Sequence, residues 1–90
     1  MASITVTVAG DTYTLREMNG EEFDSFVKDS AGVGAAKHSA MLVSRCLCDP
    51  SGVTVDSLMK WPFQTIFALG AEASKLNGLD KEATERAEKN

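Results

Sequence analysis

The stretch SITVTVAGDTYTLREM limits the fold most, because it alternates apolar and polar residues with a period of two and is rich in β-branched side chains. That pattern predicts a β-hairpin over residues 3–17. Gly10-Asp11 stands where a two-residue turn belongs, since glycine accepts the positive φ such turns require. A turn there sets Val8 opposite Tyr13, Val6 opposite Leu15 and Ile4 opposite Glu17. Ile4, Val6, Val8, Tyr13 and Leu15 then share one face, with threonines on the other. A lone hairpin is marginal in water, so its apolar face must rest on helices.

The rest of the chain supplies those helices. NGEEFDSF carries a start signal: Asn19 as cap, Glu22 three residues later, and Glu21, Glu22 and Asp24 at the positive end of the helix dipole. This predicts a helix near 20–29 that buries Phe23, Phe26 and Val27. SAGVG interrupts it as a flexible joint. From 35 to 48, Ala36, Ala40, Val43 and Leu47 recur at helical spacing beside Met41 and Leu42. DPSG then reads as a type I turn. A short segment near 55–60 follows, capped by Thr54 or Asp56, and Pro62 suits the first turn of the next helix.

The helix predicted over 62–77 is the most apolar, with Phe63, Ile66, Phe67, Leu69, Gly70, Ala73 and Leu76 on a broad face that places it at the centre of the core. Gly70 costs roughly 1 kcal/mol against alanine there, which points to close approach of another backbone. Asn77-Gly78 stops the helix, with Leu79 folding back. Beyond it, 80–90 reads as a charged helical tail. Asp80 caps it, and Glu82–Arg86 and Glu85–Lys89 are i,i+4 pairs, but only Ala83 and Ala87 are apolar. The expected architecture is α+β and mainly helical: one domain over 1–79, its hairpin packed on four or five helices, plus the tail.

Several function classes fall away. Ninety residues make one domain, burying roughly 63% of the unfolded surface. A net charge of −4 with scattered basic residues argues against nucleic acid. No apolar run reaches the length of a membrane span, and MASITVTVAGD lacks the features of a signal peptide, so a cytosolic setting is expected. Cys46 and Cys48, about 200° apart on a helix, are badly placed to bond each other and read as reduced thiols in or near the core. His38 has no triad or metal partner at a suitable spacing, and Cys46-x-Cys48 departs from C-x₂-C zinc spacing. GVGAAK fails the phosphate-loop pattern. No catalytic residue, cofactor site or metal site is expected.

Trp61 reads either as core or as an exposed anchor. VTVDSLMKWPF holds more large apolar groups than one short helix needs, so Val53, Leu58, Met59 and Trp61 are the candidate protein-interaction residues.

The order of these signals resembles the tail assembly chaperones of long-tailed, lambda-like bacteriophages. The matching positions are Arg16 and Glu17 before Asn19-Gly20, Asp49 to Gly52, Trp61-Pro62, Leu76 to Leu79, and Glu88 to Asn90. The resemblance implies a non-enzymatic protein of the host cytoplasm, made during tail assembly and absent from the mature virion. It implies that the chain coats and solubilises the tape measure protein and helps tail tube protein assemble around it. It also implies a longer product from ribosomal frameshifting near the EKN end, which would make the tail a stalk. Self-association along the client, with no nucleic acid or membrane partner, fits that role. A head–tail connector or a small bacterial adaptor is the alternative.

Overall fold

The computed structural model describes residues 2–79; the tail helix and its ion pairs, expected over 80–90, lie outside the described residues. Strands β1 (Ser3–Val8) and β2 (Asp11–Arg16) lead into helices α1 (Gly20–Asp29) and α2 (Ala35–Cys46). A short strand β3 (Leu47–Asp49) and helices α3 (Val55–Leu58) and α4 (Phe63–Leu76) complete the chain. The fold is α+β: one antiparallel sheet in the order β1-β2-β3, with four helices around it.

The hairpin forms, with its turn one residue earlier than expected. Ala9 (φ 52°) and Gly10 (φ 87°) both take positive φ, as a type I′ turn demands, and Asp11 is already strand. The pairs are therefore Val8–Asp11, Val6–Tyr13 and Ile4–Leu15. Moving the turn by one shifts the pairing by two, so every side chain keeps its face. Tyr13 and Leu15 are buried, while Ile4, Val6 and Val8 pack half-buried beside them.

β3 corrects the helix expected to run to Cys48. Leu47 turns extended (φ −73°, ψ 116°), and Thr14–Asp49 and Leu15–Leu47 pair across a bulge. The reason lies in the next residue. Proline disfavours helical backbone immediately before it, so Asp49 is driven extended, and the outer edge of β2 offers it a ladder. The Asp49–Pro50 peptide is cis, and Gly52 has φ 74°. Cys46 thus ends α2 wholly buried while Cys48 lies exposed on β3, and both are free thiols.

The helix ends are fixed by the expected chemistry. Asn19 accepts from the Glu22 amide at 2.9 Å, and Glu22 accepts from the Asn19 amide at 3.0 Å, closing a capping box. Thr54 caps α3 by accepting from Ser57. At the end of α4 the Gly78 amide donates to Lys75 and the Leu79 amide to Ser74, with Gly78 at φ 69°, a Schellman motif. On α1, Phe26 is buried and Phe23 partly so, but Val27 is 51% exposed, against expectation. A ten-residue helix lying on one neighbour buries a narrow stripe, and Val27 falls outside it.

Leu15, Val43, Cys46, Leu58, Ile66 and Leu69 form the fully sealed centre of the core. Gly70 lets α4 and α2 pass closely: a Cβ there would stand 3.3 Å from the Ser39 Cβ. Asn77 closes the assembly. Its Oδ1 accepts from the Met18 amide at 2.7 Å, and its Nδ2 donates to the Ala73 carbonyl at 2.8 Å and to the Cys46 Sγ at 3.5 Å. One side chain therefore joins the end of α4 to the β2–α1 link and to α2.

Arg16 at the end of β2 grips Glu22 of α1 with both terminal guanidinium nitrogens, one contact at 2.9 Å, and donates also to the Glu17 carbonyl. Donation from Arg16, then from the Asn19 amide, holds the Glu22 carboxyl at about 2 rather than 4.5. A depressed carboxylate contributes stability above its unfolded pKa and loses it as pH falls through the folded one. Glu22→Gln is therefore expected to be less stable than the native chain at pH 7. That difference should shrink as pH drops from 4.5 towards 2. Urea unfolding across that range checks it; a gap that is constant with pH would contradict the linkage.

Candidate interaction surface

A helix that carries seven apolar positions spread over roughly 180° cannot bury all of them against one small core. In α4 the central positions win: Ile66, Leu69, Gly70 and Ala73 are buried. Phe63 and Phe67, one turn apart on the flank of that stripe, are left 50% and 59% exposed. Their rings lie 5.7 Å apart with planes tilted by 42°, paired with each other at the surface. A phenyl side chain offers about 200 Å², so the pair leaves about 200 Å² of aromatic surface in water. Phe63 and Phe67 were expected in the core; the structure places them outside it.

The residues singled out from the sequence divide. Leu58 is fully buried and lends no surface to a partner, which corrects its candidacy: α3 is a single turn, and Leu58 is the side chain that anchors it to the core. Met59, the next residue, is 43% exposed and remains available. Trp61 is half-buried, its ring 5.9 Å from Tyr13 and tilted by 47°, so it closes the sheet face while keeping an exposed side. Val53 is half-buried at the margin of the core. The strongest surface feature, the Phe63–Phe67 pair, was legible as two phenylalanines at i,i+4 on the flank of an over-wide stripe.

Among the described residues, reactive groups do not gather into a constellation. His38 is exposed on α2, its ring set edge-on to Phe26 at 5.1 Å. Arg45 lies over the other partner of that cluster, 5.8 Å from the Phe26 centroid, and holds Asp29 at 3.0 Å, clamping α1 to α2. Burial pushes the Cys46 thiol up, away from reactive thiolate character. Among the described residues there is no group of three metal-ligating side chains and no pocket. Among them, too, no helix is long and apolar enough to cross a membrane.

No protein-family model, curated protein or solved structure matches the chain.

Proposed function

We propose that this protein is a phage tail assembly chaperone. In this reading it coats the tape measure protein, keeps that long helical client soluble, and promotes tail tube assembly in the host cytoplasm without catalysing a reaction. It then leaves before the virion is complete. The observation that carries the reading is the exposed, tilted Phe63–Phe67 pair, held outside the core of a small acidic domain.

The size of that patch suits the role. About 200 Å² is far below the ~800 Å² per partner of a stable stand-alone interface. It matches a weak contact, in which two aromatic rings enter the apolar stripe of a client helix. A client with many such turns recruits many copies, and avidity arises from repetition. The net charge of −4 keeps the unbound domain soluble while this apolar surface is uncovered.

The competing reading, a head–tail connector, makes the protein a permanent part of the particle. Purified virions analysed by mass spectrometry separate the two. The chaperone reading predicts that this chain is present in infected-cell lysate and missing from finished particles. Stoichiometric recovery in virions would establish the connector instead.

A further inference from the structure

The two edges of the sheet are unlike. β3 is a three-residue edge followed directly by Pro50, a short and blocked edge of the kind that resists pairing. β1 has six residues, SITVTV, with no charge and no proline, and forms the opposite edge. The Glu17 amide donates to the Ala2 carbonyl at 3.0 Å, which fixes the phase of the ladder. Ala2, Ile4, Val6 and Val8 turn their backbone polar groups towards β2, and Ser3, Thr5 and Thr7 turn theirs outward. Those three residues are exposed, and among the described residues no backbone hydrogen bond reaches their outward groups.

We infer that this edge of β1 pairs antiparallel with β1 of a second copy, about a two-fold axis through Thr5. In that register Thr5 faces Thr5 of the other copy, and Ser3 faces Thr7. Every outward N–H then meets a carbonyl. Ile4 of one copy lies beside Val6 of the other, so the apolar face continues across the join and the hydroxyl face meets its own kind. Because the strand carries no charge, self-pairing sets no like charges opposite each other. α4 packs on both strands of the hairpin, more on β1 than on β2. A strand from an unrelated protein would lack this match, since only a second copy guarantees the same uncharged sequence in the same phase.

The pairing is independent of the proposed function, because it uses a different surface from the Phe63–Phe67 pair. Sedimentation equilibrium of the full chain up to about 1 mM, with amide hydrogen exchange in parallel, tests it. The native protein is expected to dimerise, with protection at Ser3, Thr5 and Thr7 rising with concentration while Ile4, Val6 and Val8 stay constant. Thr5→Pro removes an outward N–H and, within the monomer, only the exposed 3.2 Å hydroxyl contact to Thr14; the symmetric loss of the N–H should weaken the dimer roughly 30-fold while the monomer still folds. Thr5→Lys should also favour the monomer, and mixing it with Thr5→Glu should restore association through opposite charges on the axis. A native protein that stays monomeric would overturn the inference. So would a dimer that survives Thr5→Pro but is lost in Phe63→Ser/Phe67→Ser. Loss of client binding in that double variant with the dimer intact would support separate surfaces.

Discussion

Leu58→Ala is expected to lower stability by about 3 kcal/mol, whereas Met59→Ala, one residue further on, should change it by less than about 0.5 kcal/mol. The contrast follows from one turn of helix. Leu58 is fully sealed, and Met59 is 43% exposed. α3 spans only Val55–Leu58, too short to hold itself, so its place depends on Leu58 filling the space beside α2. Truncation removes apolar contact and leaves a cavity that the close-packed surroundings only partly fill. A domain of this size holds about 5–10 kcal/mol in all, so the variant should unfold at a visibly lower urea concentration with an unchanged slope. Equal midpoints for the two variants would mean that α3 is not anchored as described.

The second large effect concerns Asn77. Asn77→Ala should cost about 2 kcal/mol, because it orphans the Met18 amide and removes donors to Ala73 and Cys46 together. Asn77→Asp should cost less. It keeps an acceptor for Met18, but it faces a carboxylate towards the Ala73 carbonyl at the negative end of the α4 dipole. Thiol labelling gives an independent readout. Cys48 is exposed and should react at once in every form, whereas buried Cys46 should react measurably faster in Asn77→Ala than in the native chain. Unchanged Cys46 protection beside a lowered midpoint would mean that the side chain stabilises without closing that end of the core.

Local chemistry was legible in the sequence where a few neighbouring residues decide the outcome. The Asn19–Glu22 capping box, the Thr54 cap, the Gly78 stop and the tight pass at Gly70 all depend on short-range geometry, and each appears where the residues place it. The hairpin's faces were legible too, although its turn was not. Ala9 tolerates positive φ only because the strands on either side impose the type I′ twist, a cost that no propensity for Ala9 reveals.

What failed to read out was competition between neighbours. Leu47 fits the helical period of α2 and also the edge of β2, and the proline after Asp49 tips the choice towards strand. Leu58 and Met59 are both large and apolar, and only the docking angle of a single turn decides which of them is buried. Phe63 and Phe67 looked like core because hydrophobicity says nothing of how wide a face the neighbours can cover. Asn77 showed only its role in stopping a helix; its bond to Met18 spans 59 positions of sequence and has no local signature.

The exposed aromatic pair carries the functional account, and one co-expression experiment addresses it directly. A long helical tape measure protein, the client the proposed function calls for, is produced with the native protein, with Phe63→Ser/Phe67→Ser, or alone, and its soluble fraction is measured. Because both rings are at least half exposed, the double variant should fold and melt within about 1 kcal/mol of the native protein. The account predicts a soluble client with the native chain and an aggregated one with the folded double variant. A client kept equally soluble by both would contradict it.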